Sequence, residues 1–224
     1  MSGAPVEPDE VRRRADVVRE RIAAAGGDPD HIDIVAVTKG FGAWAIEAAC
    51  EAGLTLVGES YVQEMAAKVP ELPASTREQI EIHFIGTLQS NKVRHAARSV
   101  DVWQSVDRPS LVAELAKRVP GARVLLQLDI AGVAAQGGCP LAEAPDLLER
   151  ARQAGLDVVG VMAIGPQADP HVITEAFRSA VAFADDHALA HRSLGMTGDL
   201  EAAVASGTTM VRVGTALFGE RPPH

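Results

Sequence analysis

The 224-residue chain is poor in several features that define whole classes of proteins. Its two cysteines, Cys50 and Cys139, are far apart and belong to no CxxC pair or Cys/His set, which argues against a disulfide framework and a zinc site. The chain has 21 Lys and Arg residues against 30 Asp and Glu, a formal charge of −9. Because its basic residues are scattered, no nucleic-acid partner is expected.

Long apolar runs are also missing. No run approaches the roughly 20 residues that a membrane span needs, and the opening MSGAPVEPDEVRRRADVVRE lacks the apolar core of a signal peptide. We therefore expect a cytoplasmic protein without a membrane partner, in which both thiols stay reduced.

Short apolar runs do alternate with longer amphipathic segments, and Gly or Pro often marks the joins. An opening helix is predicted from about Pro8 to Ala25. Strands are predicted at Ile32–Thr38, Leu54–Gly58, Ile80–Gly86, Val100–Val106, Ala122–Ile130, Leu156–Ile164, His191–Gly195 and Thr208–Gly214. This α/β pattern favours a (β/α)8 TIM barrel with an extra N-terminal helix over a doubly wound sheet. Residues 1–224 are predicted to form a single domain.

The last two predicted strands are followed by loops that suit a phosphate. In such barrels the chemistry lies at the carboxyl ends of the strands, and phosphate often binds after the seventh and eighth. Met196 and Thr197 follow the seventh strand in GMTGDLEAAV, and Gly214 and Thr215 follow the eighth in VRVGTALFG. Gly/Thr loops that lead into helices offer N–H groups and hydroxyls to a dianion. The same residues also form ordinary turns and N-caps, so this alternative stays open.

Lys39 ends the segment IVAVTKG, at the close of the first predicted strand. Partial desolvation at a barrel mouth lowers the pKa of an amine and favours the neutral nucleophile that a Schiff base needs. A side chain that extends into solvent is the alternative. A strand-end lysine together with a phosphate cradle describes a ligand with an aldehyde and a phosphate, such as pyridoxal 5'-phosphate (PLP).

Four segments, IVAVTKG, VGESYVQE, HFIGTLQSNKVR and GMTGDLEAAVASGTTMVRVGTALFGER, closely resemble the pyridoxal-phosphate homeostasis protein family, also called the YggS/PROSC group. They spread from residue 34 to residue 221. The resemblance implies a PLP-bearing barrel similar to the N-terminal domain of bacterial alanine racemase, without the β-domain of that enzyme. It also implies that Lys39 forms the Schiff base, that Thr197, preceded by Met196, binds the phosphate, and that Gly214 with Thr215 forms a second phosphate loop.

Three further residues join the predicted cofactor site. Arg212 matches the arginine of the family's VRxG motif, which lies close to the cofactor in the racemase-like fold. A guanidinium near the pyridine nitrogen weakens the ring as an electron sink, whereas one near the phosphate adds a cation; a salt-bridged residue at the barrel edge is the alternative. Ser60 stands where the family usually has asparagine and keeps a shorter polar reach. His83 is a candidate acid or base, or a hydrogen-bonded barrel residue.

The chain departs from the family pattern at several other positions. Ile82 replaces a common tryptophan before His83, and Asp129, Val133 and Gln136 stand where Asn, Glu and Lys are expected. The missing Glu/Lys pair removes two charges near the barrel mouth. The cofactor site is expected to persist, while the family's handling of a partner or substrate is put in question.

Three functions fit these observations. The first is a non-catalytic protein that buffers PLP or delivers it to apo PLP-dependent enzymes. The second is a PLP-dependent amino-acid racemase, and the third is a cofactor-independent Schiff-base aldolase that uses Lys39. Racemization needs a base on each face of the substrate, but the chain has one tyrosine, Tyr61, and the alanine racemase domain that supplies the opposing tyrosine is not expected. We predict the first function, a monomer, and no strong catalytic activity.

Overall fold

The computed structural model of the chain describes residues 5–133 and 136–221. Among these residues, the strands are β1 (Asp33–Val37), β2 (Leu56–Glu59), β3 (Glu81–Phe84), β4 (Val102–Val106), β5 (Arg123–Asp129), β6 (Cys139–Pro140), β7 (Asp157–Ala163), β8 (His191–Met196) and β9 (Met210–Val213). All pairings between them are parallel. The order β4-β3-β2-β1-β9-β8-β7-β5 closes on itself through β4 and β5. The predicted eight-stranded barrel is therefore confirmed.

Helices connect the strands on the outside of this barrel. Those that the structure describes are α1 (Pro8–Ala24), α2 (Ala43–Glu51), α3 (Val62–Lys68), α4 (Ala74–Gln79), α5 (Val93–Ala96), α6 (Pro109–Arg118), α7 (Ala144–Gln153), α8 (Pro170–Asp186), α9 (Leu200–Ser206) and α10 (Thr215–Phe218). Short 3-10 turns span Val69–Glu71 and Ser90–Lys92. No helix in the described part of the chain is long and apolar enough to cross a membrane.

Helix α1 shows how the sequence sets these elements. Pro8 occupies the first turn, where its missing N–H costs nothing, and acidic side chains follow it while Arg21 lies in the last turn. The buried residues recur at helical spacing, and they are Val11, Ala15, Val18 and Ile22. This stripe packs α1 against α2, α9 and α10. Each fully buried Val or Ile contributes about 1.5–3 kcal/mol relative to an exposed one.

Two elements differ from the sequence prediction. The two-residue strand β6 pairs with the end of β5, through Leu128 and Cys139, and no pattern of its own marks so short a segment. Helix α4 lies in ASTREQ, where no residue is buried and no apolar periodicity is present. The connection between β3 and β4 contains the second 3-10 turn and the four-residue α5.

The strand register brings four strand ends to one arc of the barrel rim. Val37 of β1 is level with Gly58 of β2, and Ala36 is level with Val213 of β9. On the other side of β9, Arg212 pairs with Met196, the last residue of β8. Because the strands are parallel, the residues that follow β8, β9, β1 and β2 meet at the same edge.

Candidate functional site

Lys39 lies two residues beyond β1, and its side chain is partly buried. Burial lowers the pKa of its amine, and the nearby cations Arg221 and Arg212 lower it further. The carboxylates of Glu59 and Glu64 act in the opposite direction. A lowered pKa increases the share of neutral amine near neutral pH. The surroundings of Lys39 therefore favour a nucleophile over a lysine extended freely into solvent.

A buried polar cluster lies beside this lysine. The carboxylate oxygen Oε1 of Glu59, at the end of β2, accepts hydrogen bonds from the Thr38 hydroxyl at 2.7 Å and from Lys68 Nζ at 2.8 Å. Thr38 and Glu59 are fully buried, and Lys68 is 5% exposed. Burial raises the pKa of Glu59, while Lys68 and Thr38 oppose that rise. Lys68 is thus committed to ion pairing inside the fold.

Arg212 projects into the barrel interior, and it is 5% exposed. Its Nη1 donates to the carbonyl of Ser193 and, at 2.9 Å, to the Ser193 hydroxyl, while Nη2 donates to the carbonyl of Ala163 at 2.8 Å. Burial lowers the pKa of the guanidinium to about 10, and Asp199 acts against this shift. The guanidinium still carries its charge at neutral pH. Among the described residues it has no carboxylate partner within 4 Å, unlike a salt-bridged residue at the barrel edge.

The loop after β8 is held from two directions. The backbone N–H of Met196 donates to the Asp199 carboxylate at 2.5 Å, which closes a tight turn. The carbonyl of Thr197 accepts from Arg21 Nη2 of α1 at 2.9 Å. Met196 is exposed and Thr197 is partly exposed, so both stand at the rim where a ligand can reach them.

Gly195 just before this loop permits a close approach to α9. Its φ is +88°, and a Cβ there would lie 2.4 Å from the Cβ of Ala203. The second loop begins with Gly214, followed by Thr215 at the start of α10. Helices α9 and α10 are only seven and four residues long. Any anion subsite here therefore depends on the loop groups and nearby cations more than on long helix dipoles.

Ser60 follows β2, the strand that pairs with β1, and Lys39 follows β1. Its hydroxyl is buried and has no hydrogen-bond partner among the described residues. The residue borders a cavity of about 340 Å³, which is also lined by Tyr61, Thr87 and Lys92. An unpaired buried hydroxyl costs about 1–3 kcal/mol, so a ligand that pairs with it gains a polar contact at this point.

His83 lies lower in the barrel than the other predicted residues. It is 1% exposed, its Nε2 is 2.8 Å from Glu81, and its Nδ1 is 2.5 Å from the Gln104 amide. Gln104 in turn accepts from the hydroxyl of Ser193 at 2.7 Å, and Ser193 contacts Arg212. This placement favours the hydrogen-bonded barrel residue over a direct ligand contact. Apart from His83 and the buried Arg212, the predicted residues follow the ends of β1, β2, β8 and β9 or, as Met196 does, end the strand.

Three of the positions that depart from the family pattern lie at the end of β5 and in the loop that follows it, whereas Ile82 is buried in β3. Asp129 accepts two backbone N–H groups of its own turn, at 3.1 and 2.8 Å. Val133 is exposed, and Gln136 lines a cavity of about 250 Å³ together with Met196 and Asp199. Of these three residues, Gln136 therefore borders the loop after β8.

Several charged residues of the site escaped the sequence analysis. Lys68 forms ion pairs with both Glu59 and Glu64. In the sequence, the only indication of these residues is that charged side chains occur on otherwise apolar faces of a strand and a helix. Arg221 lies far along the chain, and its aliphatic part packs over Gly40. Pairing of β1 with β2 brings Glu59 and helix α3 near Lys39, whereas Arg221 is brought there by the pairing of β1 with β9.

Comparison with known proteins adds independent findings. The family model described as "Alanine racemase, N-terminal domain" matches residues 6–222. The pyridoxal phosphate homeostasis protein of Escherichia coli K12 is 38% identical over 220 residues, covering 91% of this chain and 94% of that protein. PipY of Synechococcus elongatus, solved with PLP bound, superposes with a TM-score of 0.75 at 30% identity over 90% of this chain and 100% of PipY. Alanine racemase from Corynebacterium glutamicum shares the fold, with a TM-score of 0.73 at 17% identity over 97% of this chain and 62% of the enzyme.

Proposed function

Because the chain belongs to the pyridoxal phosphate homeostasis protein family, within the wider alanine racemase N-terminal domain family, we propose that it binds PLP reversibly and takes part in PLP homeostasis. PLP supplies an aldehyde, which condenses reversibly with a primary amine and releases water, and a phosphate dianion. We also propose that the protein is a single domain and has no strong catalytic activity.

The environment of Lys39 is the observation that carries this proposal. Its partly buried amine has a lowered pKa, caused first by burial and then by Arg221 and Arg212. The chain has four lysines, Lys39, Lys68, Lys92 and Lys117. Lys68 is buried in ion pairs, and Lys117 is exposed on α6. Lys92 borders the cavity beside Ser60, so peptide mapping has to distinguish it from Lys39. The lowered pKa of Lys39 favours this residue as the one that holds the aldehyde carbon.

The rest of the rim fits the other groups of PLP. Thr197, Gly214 and Thr215 would hold the phosphate, with Met196 beside them, because hydroxyl and backbone donors meet there near a cationic centre. The unpaired hydroxyl of Ser60 offers a hydrogen bond to a ring substituent.

Arg212 would stand beside the ring or the phosphate as a fixed cation. His83 would act on the site only indirectly, because it reaches Arg212 through Gln104 and Ser193.

The acidic side chains around Lys39 are already paired with another group, and this supports a binding role over racemization. Among the described residues near it, Glu59 and Glu64 both pair with Lys68. Arg212 keeps its charge, which disfavours a protonated pyridine nitrogen beside it. A racemase needs a second base facing the first, and these groups are committed elsewhere. We also propose that the protein is a monomer and that apo PLP-dependent enzymes receive its cofactor.

The test is to add PLP to the purified protein, record the imine absorbance, reduce with borohydride and map the labelled lysine. We expect one label, on Lys39, which Lys39→Ala abolishes and which the matched control Lys117→Ala retains. A label spread over the surface lysines, or no absorbance band, would refute PLP binding and leave the cofactor-independent aldolase for a sugar-phosphate assay. Alanine racemization above the rate of free PLP would refute the non-catalytic role.

A further inference from the structure

The two peptide groups that flank Lys39 are each held by a charged side chain of α3. The carbonyl of Thr38 accepts from Lys68 Nζ at 2.8 Å. On the other side, the backbone N–H of Gly40 donates to Glu64 Oε1 at 2.7 Å. These contacts reach a segment between β1 and α2 whose own turn is closed by a long bond from the Phe41 N–H to the Thr38 carbonyl, at 3.2 Å.

Glu64 and Lys68 lie four residues apart on α3 and form an ion pair, so the two side chains that hold the peptide groups beside Lys39 are coupled to each other. Lys68 also pairs with the fully buried Glu59 at 2.8 Å. The ammonium thus has three acceptors for its three protons: Thr38, Glu59 and Glu64. Separating an ammonium this deeply buried from its partners is costly. The contact between Lys68 and the carbonyl before Lys39 is therefore supported by two further acceptors.

We propose that Glu64 and Lys68 are positioning residues, which fix the backbone on both sides of Lys39 and so aim its amine at the cofactor aldehyde. This inference rests on the proposed function. Neither residue touches the reacting atoms in this arrangement. Lys68 itself is excluded as a second attachment point, because its ammonium is paired and buried.

Two substitutions of Glu64 separate positioning from charge. Glu64→Gln and Glu64→Ala remove the same negative charge near Lys39, but only glutamine keeps an oxygen that can accept the Gly40 N–H. Loss of the charge alone predicts equal behaviour of the two variants. Loss of positioning predicts that Glu64→Ala forms the PLP imine at least about tenfold more slowly than Glu64→Gln, since small misplacements of a reacting group are costly.

A second measurement uses no cofactor. Competitive acetylation of the cofactor-free protein with acetic anhydride, read by mass spectrometry, gives the reactivity of Lys39 with Lys92 and Lys117 as references in the same molecule. We expect Glu64→Ala to change the ratio of Lys39 to the references relative to Glu64→Gln, with thermal unfolding midpoints of the two variants close together.

Equal imine rates and equal acetylation ratios in the two variants would overturn the positioning role. An unfolding midpoint of Glu64→Ala far below that of Glu64→Gln would also overturn it, because Glu64 would then act on the fold as a whole. If Lys39 of the wild type forms no imine with PLP while the acetylation ratio still differs between the two variants, the proposed function is refuted and the positioning role is supported.

Discussion

Replacing Ser60 with alanine should have opposite effects on folding and on cofactor binding. The Ser60 hydroxyl is buried and unpaired among the described residues. The backbone there is closely packed, because a Cβ added to Gly86 would lie 2.2 Å from the carbonyl oxygen of Ser60. The main chain of Ser60 therefore has little room to shift toward Gly86.

The size of both effects follows from the cost of an unpaired polar group. A buried hydroxyl without a partner costs about 1–3 kcal/mol, so Ser60→Ala should raise the unfolding free energy of the cofactor-free protein by about 1 kcal/mol. For a chain of this length that corresponds to a rise of about 2–4 °C in the unfolding midpoint. Loss of one hydrogen bond worth about 0.5–1.5 kcal/mol should raise the Kd for PLP about two- to tenfold.

The assay compares thermal unfolding without PLP and absorbance titration with PLP for wild type, Ser60→Ala and Ser60→Asn. Asparagine is the control, because it restores the side chain that is usual in the family and should retain PLP at least as well as serine. A lower unfolding midpoint for Ser60→Ala with unchanged PLP affinity would refute the reasoning, since the hydroxyl would then serve the fold alone.

Three further outcomes are expected. Thr197→Ala should weaken PLP retention about two- to tenfold without preventing imine formation at saturating PLP, and a dialysis assay measures the loss; unchanged retention would remove Thr197 from the phosphate subsite. Arg212→Met should weaken retention and also lower the unfolding free energy by at least about 1–3 kcal/mol, because the carbonyls of Ala163 and Ser193 lose their donors. The pKa of Lys39 is lowered in the folded state, so the folded chain binds fewer protons than the unfolded chain between that pKa and about 10.5. Denaturant unfolding from neutral pH to about pH 10 should therefore show wild type gaining stability relative to Lys39→Met, and a falling difference would mean that the amine is not desolvated.

The barrel could be predicted from the sequence because most of its strands carry a local signal. Apart from β8, the barrel strands contain β-branched residues within short apolar runs, and Gly or Pro often marks the joins. Every predicted barrel strand lies within two residues of the observed one at each end. Strand β6 and helix α4 carry no such signal, because one has two residues and the other buries none. The cytoplasmic location and the single-domain organisation stay predictions.

Strand-end residues of the site could also be anticipated, since the carboxyl ends of parallel strands share one edge. The strand assignments alone were enough to predict that Lys39, Thr197 and Gly214 lie at the same edge. The level of His83 within the barrel did not follow from its sequence position. Its place depends on how β3 is staggered against β2 and β4, and this stagger is set by barrel closure.

The sequence by itself thus determined the alternation of strands and helices, and with it the edge at which Lys39 and the loops predicted to bind phosphate meet. Only the tertiary structure determined the pKa of that lysine and the contacts that hold its backbone. The pKa of Lys39 is lowered first by burial and then by Arg221 and Arg212, which are more than 170 positions away in the chain, and its backbone is held by Glu64 and Lys68. Local patterns fix hydrogen bonds between near neighbours, whereas electrostatic and desolvation effects depend on distances in space that exist only after the barrel closes.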